Sequence, residues 1–228
     1  MDLREIGNLE PEGHWYYESK FRLIFKEVPK NFEPTRIIEI GAGSKFFIKK
    51  LLSQYKSAEG WAVDPNFSEE QLNKEYRLIS CRSNPAIAGD MYLFLDVLEH
   101  VENDESLLTS SLSHAVSGAL VVISVPAFMH LWSGHDEYLG HYRRYTINEL
   151  RVIVERAGLE ITNAYYIFSA LYPLIYLFRK IRKKKIESDM KPIRSQSNSI
   201  FLRTLNLLAN VNKNRFFGVS IVVIAKKR

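Results

Sequence analysis

The 228-residue chain has one cysteine, Cys81, so no internal disulfide can form. A packed core must then hold the fold, and a reducing, cytoplasmic setting follows. Cys81 itself reads as an ordinary small buried residue. The chain has no Cys/His group at zinc-ligand spacing, and no metal site is expected. Its polar start, Met1 to Glu12, lacks the apolar stretch of a secretory signal. The uncharged residues 164–178 number 15 and contain Pro173. They fall short of the ~20 needed for a spanning helix. Two phosphate-binding signatures are also missing. Phe46 stands where a dinucleotide turn needs its third glycine, and the glycine turn is not followed by the Lys-Ser/Thr pair of a P-loop.

Charge is unevenly placed. Residues 151–228 carry 16 Lys+Arg against 4 Asp+Glu, a net +12, so residues 1–150 carry −7 within the total of +5. With 46% hydrophobic residues, the length suits one globular domain with a sizeable core.

The most informative residues lie between 37 and 104. Ile37-Ile38-Glu39-Ile40-Gly41-Ala42-Gly43 reads as a buried parallel strand ending in a turn that brings backbone close to a ligand. Asp64 follows Gly41 by 23 residues and closes the short strand Gly60-Trp61-Ala62-Val63. One helix fits between them, with Ser44 as cap and Phe46, Phe47, Leu51, Leu52 and Tyr55 as its apolar face. An acid at that position suits ribose hydroxyls, while Asp64-Pro65-Asn66 also suits a plain turn. A third strand end is Met91-Tyr92-Leu93-Phe94-Leu95, followed by Asp96-Val97-Leu98-Glu99-His100-Val101.

These three markers resemble the class I S-adenosylmethionine-dependent methyltransferases of the small-molecule type. Glu39, Gly41 and Gly43 fit that family's first motif, and Lys45 replaces its last glycine. The Asp96 to Val101 run resembles the family's stretch at the end of its fourth strand. The resemblance implies S-adenosyl-L-methionine as cofactor, held by Glu39, Gly41, Ala42, Gly43, Asp64, Pro65, Asp96, Val97, Leu98 and His100. It also implies an α/β fold, a Rossmann-like seven-stranded mostly parallel sheet with helices on both faces and the last strand antiparallel. A single domain over 1–228 is expected, with a basic amphipathic insertion at about 169–212 between the last two strands.

Two further stretches fit a subset of that family. His14-Trp15-Tyr16-Tyr17 resembles its opening helix, which folds over the cofactor. Tyr16 would face the sulfonium by cation-π attraction, or simply pack the helix. Behind the strand at 118–126 comes Leu131-Trp132-Ser133-Gly134-His135-Asp136-Glu137-Tyr138-Leu139-Gly140-His141-Tyr142-Arg143-Arg144-Tyr145. Thr146-Ile147-Asn148-Glu149 is a capping box, so residues 131–145 read as a loop above the sheet's carboxyl edge, where such sheets bind ligands. His141, and second His135, are candidate bases for a hydroxyl acceptor, with Asp136 as orienting partner. Asp136, Arg143, Arg144 and Tyr145 are candidate acceptor-binding residues, the arginines suiting a phosphate or carboxylate. The alternative is a self-satisfied lid whose arginines pair with Asp136 and Glu137.

In the last third, residues 161–168 read as the sixth strand, 200–211 as a helix and 219–225 as a final strand. Residues 171–185 lead large apolar side chains into Arg179-Lys180-Ile181-Arg182-Lys183-Lys184-Lys185. That pattern suits docking on an anionic membrane surface, a helix packed at the sheet edge, or a phosphate-binding patch. The expected function is methylation of a small molecule, with O-methylation of a sugar, quinone or lipid-linked precursor foremost. A nucleic-acid methyltransferase is the less favoured reading, because Asp96-Val97-Leu98-Glu99 replaces the Asn/Asp-Pro-Pro-Tyr/Phe common in relatives that methylate bases. A non-catalytic cofactor-binding member is the other alternative.

Overall fold

A computed structural model describes residues 12–181 and 214–228. Its sheet is built from β1 (Arg36–Ile40), β2 (Glu59–Val63), β3 (Lys74–Glu75), β4 (Leu78–Cys81), β5 (Gly89–Leu95), β6 (Ala115–Pro126), β7 (Leu159–Ile167) and β8 (Ser220–Lys227). The spatial order is β3-β4-β2-β1-β5-β6-β8-β7. Among these, β8 runs antiparallel to both neighbours and β3 antiparallel to β4, the remaining pairs being parallel. The sheet thus has one strand more than the seven expected, the two-residue edge strand β3.

Alternate strand residues serve opposite faces, as the pleat requires. Leu93, Leu120, Val122 and Val222 join one core with Phe21 and Ile24 of α1 (Trp15–Phe25) and with Phe47 and Leu51 of α2 (Phe46–Gln54). Tyr92, Phe94, Val121, Ile123 and Val223 join the other core. Its helical side comes from Leu108 of α3 (Asp104–Ser111) and from Leu150 and Val154 of α5 (Ile147–Arg156). Being buried on both faces explains why these strands read as continuous apolar runs. Truncating a side chain such as Leu93, fully buried, would cost about 2–5 kcal/mol.

The chain leaves β1 for β2 on one side, while β5 lies on β1's other side. This reversal of strand order opens a crevice at the carboxyl ends of β1 and β5, where α/β sheets receive ligands. Residues 131–145 also enter here, but they are more ordered than a loop. They begin where a helical turn over Met129–Leu131 ends and contain α4 (Gly134–Leu139), with Ser133 and Asp136 forming a capping box and Gly140 a left-handed C-cap. The Thr146 capping box opens α5 as expected. Finally, α6 (Tyr172–Ile181) follows β7 and lies on the connection to β8, whose central residues, with the helix expected at 200–211, are outside the described residues. Among the described residues no helix is long and apolar enough to cross a membrane.

Candidate active site

The glycine turn is built by contact as well as by backbone. Gly41 has φ +69°, and a Cβ there would lie 2.3 Å from Val97 Cγ2. Glycine therefore meets both a left-handed conformation and a close approach. Gly41 N and Ala42 N donate to Val63 O at 2.8 and 3.1 Å, tying the turn to the end of β2. Asp64 Oδ2 accepts from Gly43 N at 3.0 Å, and its Oδ1 accepts from Asn66 N at 2.9 Å. The acid is thus a turn former and a strand-end acceptor at once. A carboxylate has about four acceptor sites, so capacity remains for ribose hydroxyls. Pro65 is exposed beside it.

Glu39 is buried under the turn, where its Oε2 accepts from Ile48 N at 3.1 Å. Burial pushes its carboxyl up to about 8. Lys45 adopts φ 63°, the left-handed conformation that glycine favours, and so takes up the geometry of the glycine it replaces. Its Nζ donates to Gln71 O at 2.9 Å and lies over the Phe67 ring, drawn to one side of the turn. Ser44 bonds Phe46 N through Oγ, but Lys45 occupies the cap position of α2.

At the end of β5, Asp96 has φ 55° and accepts from Ser124 Oγ at 3.1 Å. Its other oxygen pairs with Lys20 of α1, whose side chain is fully buried. Burial alone would lower the Lys20 ammonium and raise the Asp96 carboxyl. Their mutual attraction wins, so Lys20 lies above and Asp96 below its ordinary range. The pair brings α1 over the crevice, where Tyr16 stacks on Phe168 with centroids 5.2 Å apart and lies beneath Lys20 Nζ. Lys20 escaped the sequence reading. Its signal was a charge on the apolar stripe formed by Tyr17, Phe21 and Ile24.

Leu98 is fully enclosed in the core that contains Leu108 and Leu112, so its side chain packs the interior. The next residues face the 131–145 segment. Glu99 O accepts from Tyr142 N at 2.7 Å, and the His100 and His141 rings meet edge to face with centroids 4.5 Å apart. One ligand atom from each of Glu99, His100 and His141 lies within 4.8 Å of the others. The absence of a metal site was inferred from spacing along the chain. Spacing does not register this trio, because His141 is brought in from a distant segment. Burial, and next the charge of Asp96, holds Glu99 well above the carboxylate range. Its Oε2 is buried without a hydrogen-bond partner.

Asp136 is the hub of the second segment. Its fully buried carboxylate accepts from Arg144 Nε at 2.6 Å and Ser133 N at 2.8 Å, and meets His141 Nδ1 at 3.0 Å. Burial would raise this acid, but the His141 bond and the Arg144 guanidinium hold it well below its usual range. An ionised carboxylate only accepts, so His141 Nδ1 donates this bond, which turns Nε2 away from Asp136. Arg144 also donates to Ala127 O at 3.2 Å and is buried. Arg143 donates to Glu102 O at 2.7 Å and to Asp104 at 3.3 Å. Tyr145, buried, donates to Asp104 at 2.8 Å.

Much of the segment therefore braces itself, the alternative that the sequence left open, though Arg144 alone of the two arginines pairs with Asp136. Glu137 accepts instead from Trp132 Nε1 at 3.3 Å. His135 lies on α4, outside the Glu99, His100 and His141 group. Asp104 was not singled out in the sequence. Nothing local marks it, since its partners are some 40 residues away. Cys81 is half-buried rather than enclosed.

Comparison with known proteins places this geometry. A methyltransferase chain from Haloferax volcanii, solved with a methyltransferase activator, superposes with a TM-score of 0.59 at 13% identity, over 98% of this chain and 92% of that one. The pyocyanin biosynthetic protein PhzM gives 0.56 at 14% identity over 92% of this chain, which spans only 55% of PhzM. The plantazolicin methyltransferase BamL, solved with a triazolic desmethylPZN analogue and S-adenosylhomocysteine, gives 0.52 at 12% identity over 99% of this chain and 87% of that one. No curated protein sequence matches. The pattern of the methyltransferase domain family matches residues 13–164, about two thirds of the chain. The chain belongs to that methyltransferase domain family.

Proposed function

We propose that the chain methylates a hydroxyl of a small molecule, a sugar, quinone or lipid-linked precursor, with His141 as the residue that activates the acceptor. One observation carries the reading. The segment holding His141 is clipped by Tyr142 N to Glu99 O onto the same turn that begins at Asp96, so acceptor chemistry and cofactor motif adjoin. When bound, S-adenosyl-L-methionine supplies an electrophilic methyl group on a sulfonium. Glu39, Gly41, Ala42, Gly43, Asp64, Asp96 and Val97 form its cradle, and Lys20 and Tyr16 close it from above. The fit rests on the unused acceptor capacity of Asp64 at the end of β2.

The histidine presents Nε2 to the acceptor because Asp136 fixes Nδ1. Asp136, Arg144 and Tyr145 act as positioning residues. Arg143, whose side chain is one third exposed, keeps donors for an oxyanion on the acceptor. PhzM and BamL, named for roles in small-molecule chemistry, support the substrate class. The test is a calorimetric titration with S-adenosylhomocysteine followed by an acceptor screen with labelled cofactor. Cofactor binding with turnover lost in His141→Ala is expected. No binding leaves the non-catalytic reading, and unchanged turnover in the variant removes His141.

The membrane reading of residues 171–185 gains support from α6, which exposes Leu174, Leu177 and Phe178 by more than half. Arg179 is turned inward, donating to Leu131 O, so Lys180 and residues 182–185 must supply the charge. The latter lie outside the described residues. Flotation with phosphatidylserine vesicles, lost in Leu174→Ser/Leu177→Ser, is the expected outcome. Equal flotation of both proteins rejects it.

A further inference from the structure

We propose that Glu99, His100 and His141 bind a divalent first-row transition metal ion at the acceptor end of the site. Their ligand atoms already lie within 4.8 Å of one another. A common centre at bond lengths of about 2.1 Å needs ligands roughly 3–4 Å apart, a contraction of about an ångström that side-chain rotation supplies. Two imidazoles and one carboxylate suit Zn²⁺, Mn²⁺, Fe²⁺ or Co²⁺ and leave coordination positions open for other oxygens.

Two independent observations point to a cation. The first is Glu99 Oε2, which is buried without any hydrogen-bond partner in a residue only 1% exposed. Such an oxygen is costly unless a hydrogen-bond donor or a cation meets it. The second is Asp136 at His141 Nδ1, 3.0 Å away. A carboxylate behind an imidazole fixes the ring with its other nitrogen forward, the usual support of a metal-bound histidine. Asp136 is in turn held by Arg144 and Ser133, so this support is rigid. The ligands come from two chain segments joined by the Tyr142 N to Glu99 O bond.

With the Glu99 proton displaced to solvent by the ion, one carboxylate against a dication leaves a net charge of +1, matched to an acceptor oxyanion. An acceptor hydroxyl coordinated here would lose its proton to solvent water and keep the O–H electron pair on oxygen. His141 then activates the acceptor as a ligand. This role rests on the proposed function above, while metal binding itself does not.

The experiment is calorimetry of chelator-treated protein with Zn²⁺ and Mn²⁺, together with Co²⁺ visible absorption. One ion per chain is expected, with affinity reduced at least 100-fold in Glu99→Gln and His141→Ala and 10–100-fold in Asp136→Asn. The Co²⁺ spectrum should change in His141→Ala. Circular dichroism and S-adenosylhomocysteine titration confirm that each variant is folded. Absence of stoichiometric binding, or equal affinity in folded Glu99→Gln, overturns the inference. Turnover by the metal-free protein at the rate of the loaded one would overturn the ion's role in activating the acceptor. An ion bound without cofactor binding would instead overturn the proposed function.

Discussion

Lys20 and Asp96 join across 76 positions of sequence, the ammonium wholly buried and the carboxylate at the end of β5. This bond ties the first helix to the turn that follows β5. Lys20→Met is expected to cost toward the lower end of about 3–5 kcal/mol, since Asp96 keeps 26% of its side chain exposed. Urea unfolding measures it. Cofactor affinity should fall with it, and a variant that keeps both quantities would show that the pair is ornamental.

Gly41→Ala should fail for two reasons, which can be separated. The left-handed backbone penalises any Cβ, and Val97 occupies its place. A loss of about 2–3 kcal/mol is expected. Val97→Ala in the same chain should recover the steric part and leave the backbone part. A double-mutant cycle with no coupling would place Val97 elsewhere.

Lys45 suggests an unusual substitution. A non-glycine residue in the left-handed region costs about 1–2 kcal/mol, so Lys45→Gly recovers strain while losing the bonds of Nζ to Gln71 and Asn73. The net change should stay within about 1 kcal/mol. Lys49→Gly, on the exposed face of α2, should be the more destabilising of the two in the same unfolding assay.

Glu39 gives a pH signature. Its folded value of about 8 exceeds the ordinary 4.5, so between these values the folded chain holds a proton that the unfolded chain has lost. Its contribution to stability is complete below about 4.5 and lost as pH rises through about 8. The melting temperature of the wild type should fall more steeply from pH 5 to 8 than that of Glu39→Gln. Parallel curves would mean an ionised Glu39 in the fold.

How much of this was legible depends on distance along the chain. β1, β2, β5 and β6 announce themselves because burial on both faces makes them apolar throughout. β4 did not, since only Leu78 and Ser80 of its four residues are buried. The short α4 was read as loop because its polar residues serve a capping box and a buried carboxylate instead of an apolar face. Gly41 and Asp64 could be placed by local spacing. The meeting of His100 with His141, or of Arg143 and Tyr145 with Asp104, depends on tertiary contact that no periodicity encodes.

The register of the last hairpin has an evolutionary corollary. Ile167 and Ser220 are paired neighbours, and Tyr166 also bridges Asn214. Asn214 and Ser220 thus return the chain to the last two residues of β7. Closing such a connection costs only logarithmically more as it lengthens. Changes of length between residues 181 and 214 therefore cost little, whereas Phe168 against Tyr16 and Arg179 on Leu131 tie the start of the connection to the body of the fold, so a descendant of this chain could vary the one without disturbing the other.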